Sequence, residues 1–320
     1  MTEVGQVASF EPAYRPGLSE AHHISVCICT LKRGELLSRT LAHLENQKTD
    51  GRFTYSVVVA DNDAMESARA VVASFSSTSH LPVKYCVEPQ QNIALARNRA
   101  LENADGDLIA FIDDDEFPVE DWLSRLFQTY LDSGAAGVLG PVEPHFDEEP
   151  PQWVKKGGFF NRPRYQTGYR VNWGQSRTGN VLFRKDILES LDVPFRSQFA
   201  TAGEDMDFFR RAMEKGYSFV WCDEAVAYEV VPAARCTQSY LLRRALLRGS
   251  NFPKHPTHRV RNILKSMTAA PCYALILPFL FLFGLWFGQH VFLKYLIKLL
   301  DHVSRLSAFL GLSLVTERQT

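Results

Sequence analysis

The chain has 320 residues, 46% of them hydrophobic and 22% charged, with 35 Lys/Arg against 36 Asp/Glu. The apolar fraction excludes a disordered chain, and the near-balance of charge argues against a dedicated nucleic-acid binder, so no nucleic-acid partner is expected. The length allows one large domain or two modest ones. Charge is nevertheless uneven, because Arg243 to Lys265 holds seven basic residues and no acidic one. Cysteines at 27, 29, 86, 222, 236 and 272 form no C-x-x-C pair, and most lie in apolar runs. That pattern argues against a zinc site or disulfide framework and for a reduced compartment.

Residues 1–22 are polar, contain Pro12 and Pro16 and lack the apolar run of a cleavable signal, so a flexible leader is expected. Ile24–Cys29, Tyr55–Ala60, Val83–Val87 and Leu108–Ile112 read as strands. Between them, Glu35–Asn46, Ala64–Phe75 and Ala94–Asn103 have helical spacing. Alternating strands and helices predict an α/β domain built on a mostly parallel sheet flanked by helices. Gly140–Gly174, rich in proline, glycine and aromatics, reads as a long functional or mobile loop. Further on, strands are expected at Val181–Phe183, near Phe219–Cys222 and at Ala225–Val231. Helices are expected at Glu204–Lys215 and, strongly basic, at Tyr240–Arg248.

Ser266–Gln289 contains no charged side chain and is long enough to cross a hydrocarbon core of roughly 30 Å. Pro271, Pro278 and Gly284 interrupt it, so a kinked span, a re-entrant hairpin and an interfacial helix all fit. Val291–Leu310 then carries Lys294, Lys298 and Arg305 on an otherwise apolar helix, the pattern of an interfacial segment. The basic block before this tail matches an anionic inner leaflet. The expected organisation is a leader (1–22), a catalytic α/β domain (23–238), a basic helix and linker (239–265) and a membrane-associated helical tail (266–320).

The stretch LIAFIDDDEFP runs a buried strand into Asp113, Asp114, Asp115 and Glu116. Ligands of an open parallel sheet bind beyond the carboxyl ends of its strands. Adjacent carboxylates there repel one another unless a cation neutralises them, and hard ions such as Mg²⁺ or Mn²⁺ choose oxygen ligands. A solvated acidic turn is the bland alternative. An EF-hand is excluded, because Pro118 stands where the loop glycine is needed. A second strand ends in Asp61-Asn62-Asp63, and the first in Thr30-Leu31-Lys32-Arg33, so three polar turns could bracket a nucleotide. Gly203-Glu204-Asp205 opens a helix, where a carboxylate serves either as a cap or as a general base.

These segments resemble family 2 inverting glycosyltransferases of GT-A fold from about Ile24 to about Gly249. The resemblance rests on SVCICTLKR, VVADND, QQNIALARN, FIDDDEFP, TGNVLFR and GEDMDFFRR in the family's order and spacing. It is nearest to bacterial enzymes that build exopolysaccharide repeat units, the succinoglycan type included. The resemblance implies that Thr30 and Arg33 line a nucleotide pocket, that Asp61 contacts the base and that Arg97 holds the nucleotide-sugar. Asp113 and Asp115 would form the DxD pair, with Asp113 nearer ribose and sugar, Asp115 on Mg²⁺ or Mn²⁺, and Asp114 beside them in the donor pocket. Asp205 would be the catalytic base, with Glu204 next to it.

The family's processive members carry QxxRW after this point. QSYLLRRALLRG has no such RW pair, which favours a single transfer per encounter. Arg244 and Arg248 would offer charge to the departing diphosphate. The donor implied is a nucleotide-sugar, UDP-hexose by default. The acceptor would be a hydroxyl of a glycan or polyprenyl-linked glycan, at the cytoplasmic face of a bacterial inner membrane, with the Trp153–Trp173 aromatics as a candidate platform for it. The rivals are a catalytically inactive nucleotide-sugar or glycan-binding membrane scaffold and a nucleotidyltransferase. The latter normally has a Gly-rich phosphate loop, which TLKRGE is not.

Overall fold

A computed structural model describes residues 22–199, 203–250, 259–283, 288–312 and 314–315. The expected leader, except His22, and the 251–258 part of the expected linker lie outside the described residues. In chain order the elements are β1 (His22–Thr30), α1 (Gly34–Glu45), β2 (Phe53–Asp61), α2 (Arg69–Thr78), β3 (Val83–Val87), α3 (Ile93–Glu102), β4 (Leu108–Ile112), β5 (Glu116–Pro118), α4 (Trp122–Ser133) and β6 (Gly137–Leu139). There follow β7 (Val142–His145), α5 (Gln152–Gly157), β8 (Asn180–Arg184), α6 (Asp186–Glu189), α7 (Glu204–Glu214), β9 (Phe219–Trp221), β10 (Ala227–Val230), α8 (Gln238–Ser250), α9 (Arg259–Leu282) and α10 (Gln289–Phe309).

The chain forms two compact units. The first comprises residues up to Pro141, Arg164–Phe195 and Asp205–Ala227. Its sheet has the order β3-β2-β1-β4-β8-β6-β9. Strands β3, β2, β1 and β4 run parallel, β8 is antiparallel between β4 and β6, and β9 lies parallel to β6. The central strands are covered on both faces, which is why β4 and the Ile24–Cys29 part of β1 are mostly apolar: Ile24, Val26, Cys27, Ile28, Ile109 and Ala110 have no solvent exposure. Rings of Phe111, Phe183, Phe195, Phe208, Phe209 and Phe219 build one continuous cluster across the β4–β9 half. The six cysteines are free thiols.

Two departures from the sequence reading have local causes. Helix α2 begins at Arg69 instead of Ala64, because the carboxylates of Asp61 and Asp63 accept the Ala68 and Met65 N–H groups and Glu66 takes a left-handed φ of 56°. These bonds build a turn where helical spacing alone predicts a helix. The supposed long loop 140–174 also contains β7 and the short helix α5.

The second unit comprises Val142–Pro163, Arg196–Glu204 and Tyr228–Thr320. Strands β7 and β10 lie side by side, and Val154, Val231 and Cys236 form a small core with Phe146, Trp153 and Phe160 against it. Helices α9 and α10 pack antiparallel: Ser266 hydrogen-bonds with His302, Tyr273 meets Tyr295, and Phe281 meets Phe292. Helix α8 holds α10 through the Arg248–Asp301 ion pair (2.8 Å) and the Ser304 hydroxyl on the Leu246 carbonyl. Asn262–Leu282 is long and apolar enough to cross a membrane, with a mean hydropathy of 1.5. Helix α9 runs through both Pro271 and Pro278; Gly284 lies outside the described residues.

Candidate active site

The first three strands are laid down in one direction across the sheet. The chain then returns to place β4 on the other side of β1. The carboxyl ends of β1 and β4 therefore flank a topological switch point, where a crevice opens in this class of sheet. Both strands end there in polar residues. The Thr30 hydroxyl donates to Asp114 (2.7 Å), and Arg33 Nη1 donates to Asp114 (3.0 Å) and to Asp115 (3.2 Å). Lys32, just before Arg33, has a left-handed φ of 56°, an uncommon conformation outside glycine that turns the chain at the rim.

The acidic turn is fixed from several directions. The Thr40 hydroxyl on α1 reaches the carbonyls of Asp114 and Glu116, at 3.1 and 2.6 Å. Arg97 of α3 stands 3.8 Å from Asp113, whose side chain is 46% exposed, whereas Asp114 and Asp115 are buried. Burial raises the Asp114 carboxyl above its ordinary value, with Arg33 and the Thr30 hydroxyl holding part of that rise back. Burial alone would lower Arg33, but Asp114 and Asp115 raise it on balance. The charges are thus interleaved, acid against base, at a single rim.

Gly179, just before β8, completes the wall. A Cβ there would stand 2.7 Å from Glu116 Oε1 and 3.1 Å from Asp113 Oδ2. This explains the glycine in TGNVLFR as close approach to the acidic turn. The next residue, Asn180, accepts from the Trp122 indole (2.8 Å) and donates to the carbonyls of Pro141 and Ala225.

Asp61 ends β2 in register with Thr30 and is fully buried. Its Oδ2 accepts from the Ala68 N–H (2.7 Å) and the Tyr85 hydroxyl (2.8 Å). Oδ1 takes the longer contacts from Asp63 N–H (3.2 Å) and Ser67 (3.5 Å). Next to it, Asn62 donates to the carbonyls of Glu88 and Gln90 and accepts from the Asn92 N–H. Asn92 caps α3 by accepting from the Ala94 N–H (3.0 Å), so Asn62 positions the helix that carries Arg97. The roles of Tyr85 and Gly179 were not read from the sequence. A tyrosine in a strand and a glycine before one carry no local signal of the carboxylates they meet.

Asp205, the second residue of α7, accepts from the Met206 N–H, while Glu204, the first, is buried and falls in the second unit. Asp207 and Arg211, in the same motif, pin the helix instead: they pair at 2.7 Å, and Arg211 also donates to the carbonyls of Val193 and Pro194. From α7 to the acidic turn the path runs through packed rings. Phe208 stacks on Phe195 at 4.9 Å, and the Arg97 guanidinium lies 5.5 Å from the centre of the Phe195 ring. Arg244 and Arg248 belong to the second unit. There Arg244 lies 5.9 Å from the Phe160 ring centre, and Arg248 is held by Asp301.

Among the described residues, no three His, Cys, Asp or Glu side chains converge as a closed metal cage. A Mg²⁺-type ion that keeps waters and phosphate oxygens needs only one or two protein carboxylates. Asp113, half-exposed at the rim, and Asp115 beside it supply hard oxygens of that kind.

An open α/β sheet with an arginine-braced acidic turn at its switch point places a candidate ligand site at the carboxyl ends of its strands. Residues 25–191 match the family model "Glycosyl transferase family 2", and the chain belongs to that family: it is a glycosyltransferase. It is 36% identical over 238 residues to the succinoglycan biosynthesis protein ExoM of Rhizobium meliloti, covering 72% of this chain and 74% of that one. Among solved structures, mannosyltransferase PcManGT from Pyrobaculum calidifontis, in complex with GDP-Man and Mn²⁺, superposes with a TM-score of 0.61 at 19% identity, over 94% of this chain and 90% of that one. S. aureus TarS 1–349 in complex with UDP-GlcNAc superposes with a TM-score of 0.52 at 16% identity, over 90% and 92%. The fold is of the GT-A type.

Proposed function

We propose that this chain transfers a hexose from a UDP-sugar to a hydroxyl of a glycan or polyprenyl-linked glycan, with inversion and one transfer per encounter. Its setting would be exopolysaccharide or cell-surface polysaccharide synthesis, at the cytoplasmic face of a bacterial inner membrane. The observation that carries the reading is the rim network, in which Thr30 and Arg33 brace Asp114 and Asp115 while Arg97 faces Asp113. The name of the Rhizobium relative supports the pathway, and the TarS complex supports a UDP donor.

In this proposal Thr30, Arg33, Arg97, Asp113 and Asp114 hold the nucleotide-sugar. Asp61 receives the base through Oδ1, the oxygen with the longer contacts to its own turn. Asp113 and Asp115 hold Mg²⁺ or Mn²⁺, which would supply Lewis-acid neutralisation of the leaving diphosphate. Asp205 takes the proton of the acceptor hydroxyl, with Glu204 beside it. Of the two arginines proposed for the diphosphate, Arg244 has the stronger case, because Arg248 is already committed to Asp301. The membrane reading rests on the apolar Asn262–Leu282 segment of α9.

The test is transfer of labelled sugar from a panel of nucleotide-sugars by the full chain, with and without a chelator, and by Asp205→Asn. The expected result is transfer that falls at least about a hundredfold in Asp205→Asn, the contribution of a general base, with unchanged donor binding. Full activity in that variant would remove Asp205 from the role.

A further inference from the structure

The outer surface of α9 carries an apolar stripe that its partners leave uncovered. Val260 (71% exposed), Leu264 (57%), Met267 (58%), Leu275 (72%), Phe279 (65%) and Leu282 (72%) all point outward. At the α-helical repeat these six fall within a sector of about 120° and run over about 33 Å of axis, and toward the C-terminal end Ile276 and Phe281, also exposed, widen the apolar surface to roughly 220°. Ser266, Ala270 and Leu277, the buried positions, lie on another side of the helix, where Ser266 and Tyr273 meet α10. Helix α9 is therefore amphipathic in an inverted sense, with one side packed on protein and the other apolar side open along its full length.

We propose that α9 lies in the plane of an anionic membrane surface with this stripe sunk below the headgroups, and does not cross the bilayer. This rests on the membrane reading above and settles its geometry. Three observations favour it over a span. First, one apolar side left open and the other packed on protein is the arrangement of a helix lying in the interface, where an in-plane axis puts the whole stripe at one shallow depth.

Second, α10 is packed antiparallel along α9, so a spanning α9 would carry α10 into the hydrocarbon. Lys298 lies 5.9 Å from the Tyr273 ring centre, level with the middle of α9, and the Arg248–Asp301 pair and His302 follow one turn later. Charged side chains at that depth are costly. With α9 in plane, α10 sits on the water side and these groups stay hydrated.

Third, Pro271 and Pro278 have no N–H, so the carbonyls of Met267 and Ala274 lose their helical donors, and both prolines are exposed. Headgroup waters satisfy such carbonyls directly, whereas in hydrocarbon they need a neighbouring helix, a Ser/Thr side chain or a trapped water. Charge selects the kind of surface. Lys265 is exposed beside the stripe, and the run from Arg243 to Lys265 holds seven basic residues and no acidic one, which matches anionic headgroups.

The test uses the full chain on phosphatidylglycerol-containing vesicles, with Cys272→Ser as background and a depth-sensitive fluorophore on Leu264→Cys, Leu275→Cys or Leu282→Cys. Equal, shallow depth at all three positions is the expected result. A label deep at 275 with 264 and 282 near opposite surfaces would overturn the proposal in favour of a span. Depth increasing steadily from 264 to 282 would overturn it in favour of a re-entrant hairpin. No vesicle binding at all would remove the membrane reading itself. In parallel, Leu264→Glu and Leu282→Glu are each expected to lower vesicle partitioning about tenfold, while thermal unfolding and donor binding stay unchanged. Loss at only one end of the helix would count against in-plane seating.

Discussion

Strands β2 and β4 both end in aspartates at the same rim, yet the two turns use their carboxylates in opposite ways. After β2, Asp61 is fully buried and satisfied by neutral donors, most of them from its own turn: Ala68 and Asp63 N–H, Ser67 and Tyr85. After β4, the carboxylates are held by cations from other segments, Arg33 on Asp114 and Asp115 and Arg97 on Asp113, and Asp113 stays half-exposed. Neutral donors fixed in the backbone make a carboxylate part of the fold. A carboxylate paired with a mobile guanidinium at a rim can exchange that partner for an ion or a sugar. The two turns should therefore respond differently to the loss of one charge.

The largest expected effect is in the β4 turn. Asp113→Asn and Asp115→Asn are each expected to lower transfer about a thousandfold, or ~4 kcal/mol of barrier lowering, with little change in unfolding midpoint. Steady-state kinetics beside thermal unfolding checks both halves of the claim. Large destabilisation with normal turnover per folded molecule would make this turn a structural twin of the first.

Asp61→Asn is expected to act on stability first, with weaker nucleotide binding beside it. An amide NH₂ set among N–H and O–H donors leaves buried groups unpaired, a cost of about 3 kcal/mol in denaturant unfolding. A variant that kept its full stability but lost nucleotide binding would erase the contrast and make Asp61 a base contact first.

Much of this contrast was legible in the sequence, and the missing part has a physical reason. Apolar runs ending in polar residues located β1, β2 and β4 because central strands are buried on both faces. The order of motifs then identified Thr30, Arg33, Arg97 and Asp113–Asp115 as one group. Sequence spacing does not show which donors a buried carboxylate receives. The early part of the Ala64–Phe75 pattern looked helical, although Asp61 and Asp63 had already claimed the N–H groups that would start the helix. Likewise GEDMDFFRR held two kinds of acid: Asp205 at the helix start, and Asp207 tied to Arg211 in the interior. Only the fold separates them. Gly179 and Tyr85 were silent because what matters about each is the residue it faces from another strand.

Gly179→Ala sharpens the comparison on the β4 side at smaller amplitude. The added methyl meets Glu116 and Asp113 oxygens, at 2.7 and 3.1 Å from Cβ, so the acidic turn must shift by tenths of an ångström. Displacement of that order is expected to lower kcat about tenfold while the stability loss stays modest, because the carboxylates survive and only their placement changes. Equal kcat in wild type and variant would show that the turn tolerates movement, and the wall formed by Gly179 would then have no catalytic consequence.

The smallest effect probes the β2 side. Tyr85→Phe removes one of the two short bonds to Asp61 and is expected to cost about 1 kcal/mol. Burial first, and then the bond to Asp61, push the Tyr85 hydroxyl above its ordinary value of 10.0. The folded state therefore holds this proton where the unfolded chain releases it. Its stabilising contribution is complete below pH 10.0 and is lost as pH rises toward the raised value. The wild-type advantage over Tyr85→Phe should accordingly be constant near neutrality and shrink above that pH in paired unfolding curves. An advantage that grows with alkaline pH would mean that the bond seen here does not hold the proton, and Asp61 would lose one of the neutral donors that set it apart from the β4 turn.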